Sequence, residues 1–314
     1  MASTETVELP DTATELSIVD DEAPAAPQLA TMPPRPAFGL LGAVLGIVAI
    51  MSLSFLAQLT VLGGLQHDRD QDKVYRELRH DLALGVAPTG PLDENGHVLA
   101  SGRPVAILEI PRYGVKEVVL EGTSSPVLRS GPGHRRDTVL PGQAGTSVIF
   151  GRRGAYGAPF ERLRNLQPKD EIIVTTGQGR HTFSVLTVRR AGDPLPSALK
   201  KGAGRITLVT ADGPAFKPTG VLRVDADLTS QVQDAPAQIP SRALPPGEAA
   251  MAGDPGELFT LMLWAPLLVA AALGTVWVRH RIGPWQAWVI GVPVLLALGG
   301  AVLDPITGLL PNLL

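Results

Sequence analysis

Three stretches of the chain, 37–65, 258–278 and 282–303, carry no ionisable side chain. A helix needs about 20 apolar residues to cross a bilayer, so each is long enough to span one. The first follows a long polar leader and far exceeds the ~7–15 apolar residues of a cleaved signal peptide. Three transmembrane helices are therefore expected. Only Arg279-His280-Arg281 separates the second from the third, which predicts a helical hairpin. This loop is basic and carries no acid, so the positive-inside rule puts it in the cytoplasm. The segment 66–257 then lies outside the cell, with 1–36 inside and a short tail, 304–314, outside.

Between the apolar runs the period changes twice. Over 66–84, Val74, Leu78 and Leu82 recur every four residues, with Asp72/Arg76 and Lys73/Glu77 at i,i+4 spacing. This pattern predicts a short amphipathic helix, the first part of a juxtamembrane helix-and-loop region over 66–104. From residue 105 the pattern turns to short β-type runs bounded by Gly and Pro. They are 105–110, 115–120, 146–150, 171–176, 182–188, 206–210 and 221–228, and they predict a small barrel or sandwich over 105–230. Five prolines (Pro236, Pro240, Pro245, Pro246, Pro255) and no periodicity mark 231–257 as an extended linker.

Composition narrows the chemistry. Thirty-four Gly and 29 Pro argue against a long helical bundle. The leader 1–36 holds Glu5, Glu8, Asp11, Glu15, Asp20, Asp21 and Glu22 against Arg35 alone, and it is expected to be a disordered acidic tail. Residues 66–230 carry 23 Lys and Arg against 18 Asp and Glu, whereas the whole chain is −3. An ordinary mixed surface accounts for that excess more simply than attraction to anionic envelope polymers. Aromatics make up 4% of the chain and interleave with no basic stripe, so nucleic acid is not an expected partner. The chain has no cysteine. Disulfides, thiolate metal sites and cysteine nucleophiles are thereby excluded. The histidines show no metal-ligand spacing, and neither metal nor cofactor is expected.

Several motifs, in order, resemble a known family. Glu109-Ile110-Pro111 with Gly114 and Val115, then Val119-Leu120-Glu121-Gly122-Thr123, resembles the opening strands of Gram-positive sortases. Arg129-Ser130-Gly131-Pro132-Gly133-His134, Leu140-Pro141-Gly142 and Gly145 are similar to the next stretch. Val148-Ile149-Phe150-Gly151-Arg152-Arg153 runs into Tyr156-Gly157-Ala158-Pro159-Phe160 and Leu163, which resembles the actinobacterial class E/F-like pattern. Pro168-Lys169-Asp170-Glu171-Ile172 resembles a turn in which the family usually has glycine at the position of Lys169. Leu208-Val209-Thr210-Ala211 resembles the strand that ends at the nucleophile. The resemblance implies a sortase-like β-barrel ectodomain; with the three apolar runs, the expected fold is mainly β, that barrel plus three transmembrane helices. The resemblance also implies a transpeptidase ancestry, in which a cysteine thiolate attacks a threonine carbonyl of a sorting signal. A histidine there moves protons and an arginine steadies the substrate or oxyanion.

The matching positions depart from that pattern. Arg152 stands at the family histidine, and a guanidinium exchanges no proton near neutrality. Ala211 stands at the cysteine. At the family arginine the alignment places Val221, with Arg223 two residues on and on the same strand face. Arg223 is thus a candidate for a retained pocket residue. Rescue by Ser147 or Thr210 needs an adjacent base. Odd spacing sends Ser147 away from Arg152 and Thr210 away from Ala211, and His134 and His181 read as surface histidines. No catalytic residue is therefore expected. The expected function is a membrane-anchored, extracytoplasmic binding or scaffold module at the cell envelope, a pseudoenzyme whose partners are a sorting-signal-like peptide or membrane proteins. Two alternatives stay open: a cysteine-independent acyl transferase with relocated residues, and a purely structural envelope protein. Gly299-Gly300-Ala301 is a candidate contact between membrane helices.

Overall fold

The computed structural model describes residues 52–93, 96–214 and 217–314. The acidic leader 1–36 and most of the first apolar run, 37–65, lie outside the described residues. The part of that run that is described, from residue 52, is helical. It passes through a π-turn at Gln58–Leu62 into α1, Gly63–Leu84, three residues longer at its start than the periodicity predicts. Gly85 ends α1 in the left-handed conformation that glycine adopts without a Cβ penalty.

The predicted stripe on α1 is used. Leu78, with Val74 and Leu82 beside it, packs on Ile107, Val118, Leu120 and Val127 of the β-domain. Gln71 adds a polar clasp: its amide accepts from the Val118 N–H at 2.7 Å and donates to Ser130 O at 2.8 Å. Asp81 binds Arg103 at 2.6 Å. The helix is docked along its length.

Eight strands form the β-domain: β1 Pro104–Ile110, β2 Val115–Glu121, β3 Gly133–His134, β4 Gly145–Phe150, β5 Glu171–Thr176, β6 Gly179–Arg189, β7 Gly204–Asp212 and β8 Gly220–Leu228. A short helix, α2, covers Ser125–Ser130 between β2 and β3. The strands close a barrel in the order β1-β2-β3-β4-β7-β8-β6-β5, with β2/β3 and β4/β7 parallel. The seven β-type runs all become strands, most of them longer than their apolar cores, because ladder hydrogen bonds do not require apolar side chains. The eighth, β3, is two residues of Gly and His and has no periodicity to announce it. Ile149, Ile172, Phe183, Leu208, Val224 and Ala226 are among the side chains filling the interior. Lys169, in the turn before β5, has φ +78°, in the region that favours glycine.

Two further helices, α3 Glu257–Arg281 and α4 Pro284–Leu309, form an antiparallel hairpin. Both are long and apolar enough to cross a membrane, with mean hydropathy 2.0 over the candidate spans. Gly299 and Gly300 have no neighbour close enough to meet an added Cβ. The close approach is at Gly291 instead, where a Cβ would run into the Thr275 side chain. The third run extends six residues past its expected end, so 304–309 is helix and only 310–314 remains beyond it. The linker is not free-standing either. Gln233 exchanges backbone bonds with Gly142 and Ala144, and Thr123 Oγ donates to Glu248 O at 2.7 Å. An aperiodic, proline-rich segment can still bury its length when a barrel face offers partners.

Candidate functional site

Alternation sorts the ends of β7 and β8 into two faces. Leu208, Leu222 and Val224 point into the barrel, while Val209, Ala211 and Val221 cluster on the outside with Phe150 and Leu128. In the ladder Ala211 sits across from Val221, and Val209 across from Arg223. Val221 therefore holds the place beside Ala211. Arg223 lies further along the same face and lines a cavity of about 500 Å³ with Arg135, Arg189, Phe150, Val209 and the segment around Leu244. Burial and the neighbouring Arg189 draw the Arg223 pKa below its ordinary value, against the pull of Asp225. Arg189 itself is paired with Asp225 at 2.5 Å.

Arg152 follows β4 by two residues and is fully buried. Its side chain turns under α2, where Nε donates to Leu128 O at 3.1 Å and Nη2 to Ser125 Oγ at 2.8 Å. The Tyr156 ring lies 5.0 Å from the guanidinium carbon. No carboxylate bonds this guanidinium among the described residues, and Nη1 is buried without a hydrogen-bond partner. Burial pulls its pKa down to about 10, with Arg129 adding to the fall and Tyr156 opposing it. The group stays protonated at neutral pH, so it acts as a fixed charge and a brace for α2.

Arg153 is the residue that touches the end of β7. Its Nη1 donates to Gly213 O and, at 3.4 Å, to Ala211 O, and the residue is 7% exposed. The family motif points to Arg152 and not to this neighbour. The adjacent pair Arg152-Arg153 was the available signal, since two consecutive residues leaving a strand point to different sides.

The proposed rescuers are turned away. Thr210 Oγ donates to Gly151 O at 2.8 Å, on the opposite face from Ala211. Ser147 Oγ is buried with no partner. The two histidines are not on the surface, as sequence context suggested. His134 and His181 are each 2% exposed, because the glycine turns around them fold against the barrel wall. His134 Nδ1 meets Glu121 Oε2 at 2.9 Å and Nε2 lies 3.2 Å from Thr138 Oγ. A hydroxyl, an imidazole and a carboxylate in line are the outline of a nucleophilic triad. The hydrogen bonds do not fit one, however. Nε2 faces Val139 O at 3.0 Å, which requires its proton, and the Thr138 hydroxyl donates to Arg135 O at 2.7 Å. Glu121 outweighs burial in raising the His134 pKa. Both ring nitrogens face acceptor oxygens, so neither is turned to take a proton from Thr138. No group of three His, Asp or Glu side chains that could hold a metal occurs among the described residues.

Comparison with known proteins bears on this barrel. The sequence profile of the family described as "Sortase domain" matches residues 108–228. Sortase D of Bacillus subtilis is 28% identical over 89 residues, 28% of this chain and 43% of that protein. Sortase SrtE1 of Streptomyces coelicolor is 26% identical over 192 residues, 56% of this chain and 53% of that protein. The chain thus spans about half the length of the curated relatives it matches. Among solved structures, sortase E1 of Streptomyces coelicolor with a tripeptide in the active site is 25% identical, with 47% of this chain and 98% of that chain covered and a TM-score of 0.37. Over residues 108–228, from β1 to β8, the chain matches the sortase domain and is similar to these sortases.

Proposed function

We propose that the chain is a membrane-anchored, extracytoplasmic sortase-type module that binds an extended peptide at the cell envelope and performs no transpeptidation. The observation that carries this reading is the outer face at the end of β7. Ala211 occupies the nucleophile position of the family pattern and packs with Val221 and Phe150, while Arg152 is committed to α2. Acyl transfer needs a nucleophile, a proton carrier and charge converging on one carbonyl, and the first two are missing from this face. Relocated chemistry draws no support from Thr210, Ser147 or His134, whose protons and lone pairs are committed or buried. The cavity beside Val209, with its arginines, supports binding over a purely structural role. Membrane anchoring rests on the two apolar helices and, for the third span and the orientation, on the hydropathy and charge pattern.

The test is an assay of the full chain with sorting-signal peptides, with and without an amine acceptor. No cleavage and no transfer product is the expected outcome. Turnover by the unmodified protein would refute the inactive reading.

A further inference from the structure

The face around Ala211 is already occupied. Beyond α4 the chain turns back on the barrel, and Leu313 is fully buried among Leu128, Phe150, Val209 and Ala211. Its carbonyl accepts from the Arg153 N–H at 3.1 Å. Asn312 is fully buried as well, and its Nδ2 donates to Thr123 O at 2.9 Å and to Ala249 O at 3.0 Å. The segment thus contacts both the end of the strand pair and the linker above it. The base of α4 holds it in place: Asp304 pairs with Arg129 at 3.1 Å, and Thr307 shares a hydrogen bond with Tyr156 at 2.8 Å.

These contacts have the form of peptide recognition. One aliphatic side chain fills an apolar pocket, one main-chain carbonyl meets a barrel N–H, and one carboxamide reads two backbone carbonyls. The hold is incomplete, because Asn312 Oδ1 is buried with no partner. An unmet acceptor weakens the closed state relative to a released one. Resting on the reading of this face as a peptide site, we propose that it recognises a carboxamide residue followed by an aliphatic one. Asn312-Leu313 is its resident ligand, and a second peptide of that kind enters only when this segment leaves.

The absence of cysteine from the chain allows a direct test. Ala211 is 3% exposed, so in the full-length Ala211→Cys protein in detergent the thiol should react slowly with a maleimide. Adding Leu313→Gly should speed alkylation at least tenfold. A thiol introduced by Ser101→Cys, on an exposed surface residue, should react at the same rate with either residue at 313. Should Leu313→Gly fold poorly by circular dichroism, Asn312→Ala provides the second release variant, with the same expected direction. A synthetic peptide matching residues 304–314 at millimolar concentration should slow the released thiol again, and the same peptide with aspartate in place of the residue matching Leu313 should not. An unchanged alkylation rate on release, or no protection by the native-sequence peptide, would overturn the proposal. Neither result depends on transfer activity, so a failure here is distinct from a failure of the inactive reading.

Discussion

Along β7, Leu208 faces the barrel interior and Val209 faces outward, yet they are 0% and 2% exposed. The two faces are buried by different means. Inside, Leu208 meets Leu222, Val224, Ile149 and other strand residues whose alternation points them at a common axis. Outside, Val209 is covered by Leu313 and by Ala250 and Met251, more than 40 residues further along the chain. The interior cluster around Leu208 is apolar. The outer face mixes apolar contacts with an ionic network that includes His134–Glu121 at 2.9 Å and Arg136–Glu248 at 3.6 Å. The barrel therefore closes by its own strand pattern, while its candidate site is closed by segments that strand pattern does not contain.

The largest expected effect separates these two closures. Leu208→Ala should lower the stability of the barrel by about 2–5 kcal/mol, since strands on all sides prevent the cavity from collapsing. Val209→Ala should cost only about 1 kcal/mol, because the covering segments can settle onto the smaller side chain. Thermal unfolding of the full chain followed by circular dichroism measures both. Equal losses would erase the distinction.

A smaller effect follows from the ionic network on the outer face. Burial works against protonation of His134, but Glu121 prevails and its pKa lies above the ordinary value near 6.5. A raised folded pKa contributes stability that is fully present below the unfolded value and is lost as pH rises through the folded value. His67, 3.0 Å from Glu117, is raised in the same direction. The melting temperature should therefore fall as pH climbs above about 6.5, and the fall should shrink in His134→Gln. A pH-independent melting temperature in the unmodified protein would contradict the charged pair.

The smallest expected effect belongs to neither face. Lys169 holds φ +78° in the turn before β5, a conformation that L side chains adopt at a cost. Lys169→Gly should raise stability by up to about 1 kcal/mol, net of the greater backbone freedom of glycine when unfolded. A loss measured by denaturant unfolding would mean that the lysine side chain makes up the cost.

By itself, the sequence determined the elements with a period. The stripe Val74, Leu78 and Leu82 made a docked helix, the seven apolar runs made strands, and the uncharged runs beyond residue 257 made a hairpin, because burial of one face imposes a repeat that can be read. The ordered motifs of residues 108–228 were equally legible. Only the tertiary structure decided what lies over Ala211, which way Arg152 turns, that Arg153 clasps the end of β7, and that His134 is buried. Each of these depends on contacts between residues distant in sequence, such as Leu313 with Ala211 or Asn312 with Thr123. Contacts of that range leave no periodic trace, because their partners are brought together only by closure of the barrel and return of the hairpin.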